Sequence, residues 1–327
     1  MDFKEIVGQK EIIERLKKSI IDNRVGHAYI FAGSKGIGKK TVARAFSHML
    51  LCDMPTKHGP CNVCTSCKLW NENSNPDFYL IETPEDNILI EEVRNMQSSI
   101  VVKPVYSNKK VYIITDAEKM TVQAQNCLLK ILEEPPEYVV IILTTSNYRA
   151  LLGTIRSRGT KYNFLKHSQA EIKEIIKSEI NQGNENLEFI IHYSDGIIGT
   201  ALNLATSPDF VGLREKAIDI THKLSGMKDI EFFDIYEFFE GNKDNIDILL
   251  DIMSIFYRDL IVVKAGGKEN MLINSDKINR IANEARNYSI EKLVKNIELI
   301  ESTRNSIKQN INYQLCIEAM IIKFQED

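Results

Sequence analysis

A glycine-rich segment near the N-terminus has the residue types that bind phosphate groups. Its glycines are Gly33, Gly36 and Gly38, and Lys39 follows them, so residues 33–39 fit the pattern G-x-x-x-x-G-K. In such loops, backbone N–H groups and the N-terminus of the next helix face the phosphates, and the lysine reaches the β- and γ-phosphates. The segment therefore predicts a nucleotide-binding loop. A glycine-rich turn without a ligand is the alternative interpretation.

Two features argue against nucleotide hydrolysis at this loop. The residue after the loop lysine is normally Ser or Thr, whose hydroxyl holds Mg²⁺, but here Lys40 stands in that place and Thr41 comes one residue later. P-loop ATPases also carry an acidic pair after the third strand, and here alanine follows Asp116. Glu118 lies two residues further on, and we expect its side chain to point elsewhere. Binding of ATP with Mg²⁺ stays open, and we expect little or no hydrolysis.

Four cysteines come after this loop and its predicted helix with the spacing C-x8-C-x2-C-x2-C: Cys52, Cys61, Cys64 and Cys67. Closely spaced thiolates suit a tetrahedral metal ion, and Zn²⁺ held by four thiolates is structural because no position is left for water. An iron–sulfur motif of this type needs its next cysteine at position 71, which is Asn71. The spacing favours zinc, with an iron–sulfur cluster or unmetallated thiols as the alternatives.

An arginine after the fourth predicted strand is a third candidate. Residues 151–158 read Leu-Leu-Gly-Thr-Ile-Arg-Ser-Arg. In ring-forming P-loop ATPases, an arginine at this place reaches the neighbour's nucleotide and stabilises charge that develops on the γ-phosphate. An arginine in a loop is otherwise usually just solvated. The position after the fourth strand of a phosphate-loop sheet makes Arg158 the candidate for such an arginine finger.

Apolar runs and amphipathic helices alternate over the first 165 residues and would position these groups. The predicted strands are 28–31, 78–81, 111–115, 139–144 and, more weakly, 162–164, and the predicted helices are 11–22, 40–51, 91–99 and 122–134. Apolar strands separated by helices are typical of a parallel sheet covered on both faces. Pro135 and Pro136 end the last of these helices, because proline cannot continue one.

The strand pattern stops after about residue 166. Helical patterns at 168–180, 185–194 and 199–206 predict a small helical domain over 166–208. Longer amphipathic patterns, for example 246–263 and 290–302, predict an all-helical domain over 209–327. The sequence therefore predicts three domains, and the first of them, 1–165, carries the four-cysteine module at 52–67.

Composition limits the class of protein. The chain has 327 residues with 43% hydrophobic content, which is ample for several cores. The longest apolar runs are far shorter than the roughly 20 residues of a membrane helix, and the start, Met1-Asp2-Phe3, lacks a signal pattern. We therefore expect a cytoplasmic protein with no membrane association. Without a signal peptide, six cysteines argue for metal binding or free thiols rather than disulfides.

The charge distribution argues against a general nucleic-acid coat protein. The net charge is −4, with 22 basic and 18 acidic residues over 1–165, or +4, and 19 and 27 over 166–327, or −8. A mildly basic first half permits phosphate contacts but does not require them. A zinc-dependent nucleic-acid binder is a weak alternative, because only Lys57, Lys68 and Trp70 lie near the cysteines as basic or aromatic residues.

Five segments together resemble the clamp-loader branch of the AAA+ proteins. They are His-Ala-Tyr-Ile-Phe at 27–31, the cysteine module after Leu50-Leu51, the stretch 126–136 that is similar to N-x-L-L-K-x-L-E-E-P-P, the serine–arginine motif at 154–158, and residues 310–315, which resemble the last collar helix. The similarity spans nearly the whole chain. It implies an α/β P-loop domain of the AAA+ RecA-like type with a zinc module, followed by a small helical lid and an all-α collar.

Within this family the delta-prime type fits better than the gamma/tau motor type. The motor has an intact phosphate loop, an acidic pair and a lid arginine, whereas residues 196–201 read Gly-Ile-Ile-Gly-Thr-Ala, with Gly199 where that arginine would fall. The sequence also stops at Asp327, so we expect no polymerase-binding extension of the tau type. Gly159 replaces the cysteine that usually follows the serine–arginine pair, and we expect a more flexible loop there.

The resemblance implies a stator subunit of the clamp loader in the bacterial DNA polymerase III holoenzyme. The chain would join gamma/tau and delta subunits in a hetero-pentamer that loads the sliding clamp onto primed DNA, and Arg158 would act in trans on a neighbouring ATPase. It would be a component of a DNA-directed DNA polymerase holoenzyme with a structural Zn²⁺ and little or no ATPase activity of its own. The alternative is a gamma/tau-like motor that binds and hydrolyses ATP itself.

Overall fold

Five apolar runs pair into one parallel sheet. The computed structural model describes residues 2–83, 87–179, 186–224 and 229–325, and its strands are β1 (Ala28–Ala32), β2 (Phe78–Ile81), β3 (Lys110–Ile114), β4 (Val139–Thr145) and β5 (Thr160–Asn163). Their order is β2-β3-β4-β1-β5, and every neighbouring pair is parallel. The predicted α/β fold with a parallel sheet is confirmed, with strand ends shifted by no more than two residues.

The three central strands, β3, β4 and β1, are buried along their whole length. Successive side chains of a strand point to opposite faces, so Tyr29 and Phe31 join one core while Ala28 and Ile30 join the other. Burying each large apolar side chain contributes roughly 1.5–3 kcal/mol, so the two filled faces stabilise the sheet. The sheet in turn sets where the loops at the two ends of its strands begin.

Helices connect the strands and cover both faces. They are α1 (Lys10–Ile21), α2 (Lys39–Leu51), α3 (Thr65–Asn71), α4 (Ile90–Ile100), α5 (Val122–Glu133), α6 (Gly153–Arg158) and α7 (Gln169–Glu179). The bounds of α1, α2, α4 and α5 lie within one residue of those predicted. The sequence did not predict α3, because seven residues are too few to show a helical period.

Helix α5 shows how local sequence sets the ends of an element. Thr121 caps its N-terminus by accepting a hydrogen bond from the N–H of Ala124 at 3.2 Å. Its apolar face buries Leu128 and Leu132, and the two prolines follow directly after Glu134. The last turn of α5 is therefore fixed in place before β4 begins.

The chain divides into two compact units. The first comprises Met1–Glu179 with Ser194–Ala201, and the second comprises Ile180–Tyr193 with Leu202–Asp327. The further helices are α8 (Leu187–Tyr193), α9 (Ile198–Thr206), α10 (Phe210–Lys223), α11 (Asp229–Gly241), α12 (Ile246–Lys264), α13 (Ile278–Glu284), α14 (Ile290–Lys308) and α15 (Tyr313–Gln325). The predicted helix ends at Ile180 and Glu185, and the chain end at Asp327, lie outside the described residues. The three-domain division stays a prediction.

The second unit is helical throughout its described part, as predicted, and its core contains a buried cation. Arg214 is fully buried, and its guanidinium donates to both carboxylate oxygens of Asp276 at 2.8 and 2.9 Å and to Asn274 at 2.8 Å. The group lies over the ring of Phe189 at 4.2 Å. Burying a charge without such partners is costly, so Arg214 requires these contacts. Since they come from α8 and from the segment before α13, they hold both to α10.

Within the described residues, no helix combines the length and the apolar character that a membrane span requires.

Candidate functional sites

The phosphate loop joins β1 to α2 at the C-terminal ends of the parallel strands. Gly36 and Gly38 have φ angles of +78° and +98°, a left-handed conformation that favours glycine. Lys39 folds back over the loop, and its Nζ donates to the carbonyl oxygens of Gly33 at 2.7 Å and Ser34 at 2.8 Å. Burial lowers the pKa of Lys39, while the carboxylates of Glu118 and Asp116 act in the opposite direction. The lysine is thus engaged with its own loop.

The start of α9 contacts the tip of the same loop. The N–H of Gly199 donates to the carbonyl oxygen of Gly36 at 2.8 Å. A Cβ added to Gly199 would lie 2.9 Å from the Cα of Gly36 and 3.0 Å from its oxygen, and one added to Gly36 would lie 3.1 Å from Ile197. Because these neighbours are mostly backbone, position 199 has no room for the lid arginine of a motor subunit in this arrangement.

The positions that normally hold Mg²⁺ are differently occupied. Lys40 Nζ pairs with the carboxylate of Glu82 at 2.6 Å, so a cation stands where the hydroxyl of Ser or Thr is usual. Thr41 lies in the first turn of α2 and is partly buried. Asp116 has a φ of 47° and donates its N–H to Thr144 at 3.2 Å. The candidate site therefore keeps the loop lysine and, after β3, Asp116, but it lacks the expected magnesium hydroxyl.

Glu118 turns back to the same end of the strands, contrary to the expectation that it would point elsewhere. A short 3-10 turn over Ala117–Lys119 reverses its direction, and its carboxylate accepts from the N–H of Ser146 at 2.9 Å and from the Ser146 hydroxyl. Burial acts to raise the pKa of Glu118, but the hydrogen bonds from Ser146 outweigh it and the pKa is lowered. The carboxylate is therefore held by the residue that follows β4.

The four cysteines converge. Cys52 follows α2, Cys61 and Cys64 lie in the next loop, and Cys67 stands in the first turn of α3. Their sulfurs all lie within 4.8 Å of one another, and the Cys61–Cys67 pair is 4.0 Å apart. A tetrahedral zinc ion with bonds of about 2.3 Å requires sulfur separations of roughly 3.8 Å. The arrangement therefore fits an ion of that size.

Burial and backbone N–H groups act on the sulfurs in opposite directions. Backbone N–H groups point at three of them, from Cys61 to Cys52 at 3.2 Å, from Cys64 to Cys61 at 3.4 Å and from Cys67 to Cys64 at 3.4 Å. Burial raises the pKa of Cys52 to about 11 and raises that of Cys67 as well. Burial opposes ionisation of Cys61 too, but N–H groups of Val63 and Cys64 lower its pKa to about 7. Four adjacent thiolates need a cation, and these residues could hold Zn²⁺.

Arg158 is the last residue of α6, two residues before β5. Its Nη1 donates to the carbonyl oxygen of Thr154 at 3.0 Å, and its Nη2 donates to Glu133 Oε1 at 3.1 Å. Gly159 follows with a φ of −101°, and a Cβ there would lie 2.6 Å from Ile30. Close packing on β1 accounts for the glycine, and the expectation of a more flexible loop stays a prediction.

The arginine and the phosphate loop lie at opposite ends of the parallel strands: Arg158 at the N-terminal ends and the loop at the C-terminal ends. The loop follows the end of β1, whereas Arg158 precedes the start of β5, which runs parallel to β1 with Tyr29 opposite Thr160. Five residues of strand span about 16 Å, which is more than an arginine side chain can bridge. Arg158 is therefore not part of the chain's own phosphate site.

Sequence reasoning missed three of these contacts: Glu133 with Arg158, Ser146 with Glu118 and Gly199 with Gly36. The partners lie 25, 28 and 163 residues apart, so no local period could have paired them. Glu133 was visible in the L-E-E-P-P stretch, and the arrangement of the folded chain was needed to assign it a partner.

Comparison with known proteins places the chain among DNA polymerase III subunits. The family model described as "DNA polymerase III, delta subunit" matches residues 8–168, and the model of its C terminal part matches residues 214–326. The delta′ subunit of Bacillus subtilis (strain 168) is 27% identical over 97% of this chain and 96% of its own length. The tau subunit of the same organism is 27% identical over 98% of this chain, which spans only 61% of that relative.

A solved structure shows the same fold. The gamma subunit-related protein of Thermotoga maritima aligns with a TM-score of 0.53 at 21% identity, over 96% of this chain and 98% of its own.

Proposed function

The chain belongs to the DNA polymerase III clamp-loader family, and we propose that it is a delta-prime-type stator that donates Arg158 to the nucleotide site of a neighbouring ATPase subunit. Membership gives the chain a role in clamp loading. The proposed complex is a hetero-pentamer with gamma/tau and delta subunits, which loads the sliding clamp onto primed DNA.

The observation that carries this proposal is the placement of Arg158 at the end of the strands opposite the chain's own phosphate loop. In a ring of similar subunits, head-to-tail contacts bring one side of each subunit against the opposite side of its neighbour. An arginine on the side of the subunit opposite its own phosphate loop can then reach only the neighbour's nucleotide. Its guanidinium would stabilise the charge that develops on the γ-phosphate during hydrolysis.

The state of the chain's own phosphate loop supports a stator rather than a motor. Lys40 replaces the magnesium hydroxyl, alanine follows Asp116, and Gly199 stands in place of the lid arginine. A site with these three changes lacks groups that position the metal and the phosphates in a working motor. We therefore propose that the chain hydrolyses ATP slowly or not at all.

The four cysteines bind a structural Zn²⁺ in this proposal. Cys52, Cys61, Cys64 and Cys67 would hold the ion and so fix the module between α2 and α3. Four protein ligands leave no coordination position for water, so the ion would supply no chemistry to hydrolysis.

A gamma/tau-like motor is the second candidate, and one observation favours it. Burial lowers the pKa of Lys39, but the carboxylates of Glu118 and Asp116 partly oppose this shift, so two acidic groups stand near the loop lysine. ATP turnover by the isolated chain that is lost in Lys39→Ala would support this candidate over the stator.

The test of the proposal is ATP hydrolysis by a loader reconstituted from this chain and its cognate gamma/tau and delta subunits, with the clamp and primed DNA. Arg158→Ala should lower kcat by about a hundredfold or more, since arginine fingers contribute on the order of 10³–10⁵ to such reactions. Arg156→Ala is the matched control, because Arg156 lies on the same helix over the ring of Tyr148 at 5.5 Å. Equal rates for wild type and Arg158→Ala would refute the role in trans.

A further inference from the structure

We infer that Glu133 is a positioning residue for Arg158, holding the guanidinium in the orientation in which it meets the neighbouring subunit's nucleotide. This inference rests on the proposed function, because it gives Glu133 a task only if Arg158 acts in trans. The carboxylate itself touches neither nucleotide nor metal in this account. It acts through the arginine alone.

The guanidinium of Arg158 is held at two points. Thr154, one turn earlier on α6, accepts from Nη1 at 3.0 Å, and Glu133, at the end of α5, accepts from Nη2 at 3.1 Å. One contact to its own helix would leave the head group free to swing about the end of α6. The second contact, to a different helix, removes that freedom.

Glu133 lies at the end of a helix whose position is fixed by packing. It is the last residue of α5, whose apolar face buries Leu128 and Leu132 against the sheet. The prolines at 135 and 136 prevent the helix from extending or slipping in register. A carboxylate at this point therefore has a fixed position relative to α6, as a positioning group requires.

The ion pair contributes little to the stability of the fold. The side chains of Arg158 and Glu133 are 34% and 52% exposed, and exposed ion pairs of this kind are screened by water and salt. Because the ion pair adds little stability, it is better explained by the orientation that it gives to the guanidinium of Arg158. Arginine carries large rotamer freedom, and removing it before the reaction lowers the barrier to a productive encounter.

The two contacts also leave Arg158 with N–H donors for a phosphate group. A guanidinium has five N–H donors, and the bonds to Thr154 and Glu133 use two of them. Three donors remain for the oxygens of a phosphate. The arginine can thus bridge Glu133 and the neighbour's nucleotide without giving up its anchor.

The test uses the same reconstituted loader. Glu133→Ala should lower kcat about threefold to tenfold and leave KM for ATP within about twofold, because an interaction used only in the transition state is lost. Glu133→Gln keeps an acceptor oxygen without the charge and should fall between wild type and Glu133→Ala. Once Arg158→Ala is present, Glu133→Ala should have no further effect.

Glu134→Ala is the matched control, because Glu134 is adjacent, exposed and equally charged. It should leave kcat unchanged, and none of these variants should alter the melting temperature appreciably. A large fall for Arg158→Ala with wild-type or higher kcat for Glu133→Ala would overturn this inference and leave the proposed function standing. A further loss from Glu133→Ala on top of Arg158→Ala would also overturn it. Wild-type kcat for Arg158→Ala would overturn both.

Discussion

Replacing Gly199 with alanine tests the contact that closes the phosphate loop. The new Cβ would lie 2.9 Å from the Cα of Gly36 and 3.0 Å from its carbonyl oxygen, and the oxygen also accepts the Gly199 N–H. Carbon atoms in favourable contact are about 3.5–4.0 Å apart, so α9 or the loop must move by roughly 0.6–1.1 Å. Both partners are backbone, which cannot rotate away as a side chain can.

The expected cost follows from two opposing effects. Overpacking of this kind costs about 1–3 kcal/mol, whereas replacing glycine by alanine within a helix gains up to about 1 kcal/mol. We therefore expect Gly199→Ala to destabilise the first unit by about 1–2 kcal/mol. For a unit of this size, that lowers the melting temperature by roughly 2–8 °C.

Differential scanning calorimetry of the full chain measures this effect, and Gly212→Ala is the control. Gly212 is also near the start of a helix, α10, but a Cβ there would meet nothing within 4 Å, so alanine should stabilise or leave the melting temperature unchanged. If Gly199→Ala raises the melting temperature as Gly212→Ala does, then Gly199 does not pack on Gly36 and the account of the closed loop is wrong.

Two further predictions concern the cysteine cluster and the sheet. Cys64→Ser should lower zinc content, read by elemental analysis, and melting temperature, while leaving activation through Arg158 in place; full zinc content with unchanged melting would argue against a four-thiolate site. Burial raises the pKa of Tyr112 to about 12 although its hydroxyl bonds Ser99 at 2.8 Å, so the unfolded chain ionises there first as pH rises above about 10. Stability from this group is present below that pH and is lost between about pH 10 and 12, by up to about 3 kcal/mol. Urea unfolding across this range should show a smaller alkaline loss for Tyr112→Phe, and equal losses would contradict the assignment.

Local sequence signals predicted the strands and the longer helices of the first unit, together with the candidate groups on them. Helices α1, α2, α4 and α5 lie within one residue of their predicted bounds, because apolar period, caps and prolines are local signals. The loop glycines, the lysine at position 40 and the cysteine spacing are likewise readable in order along the chain. Local chemistry was enough to predict a phosphate loop with missing parts and a metal cluster.

How these groups are arranged depends on contacts between segments that lie far apart in the chain. Parallel strand order places Arg158 and the phosphate loop at opposite ends of the strands, and a spacing along the chain cannot reveal which end a residue reaches. Packing also decided that Gly199 meets Gly36 and that Gly159 meets Ile30, where sequence gave only a missing arginine and an unexpected glycine. Such pairs depend on how distant segments fill the same space, and the cost of a clash is set by that space rather than by local propensity.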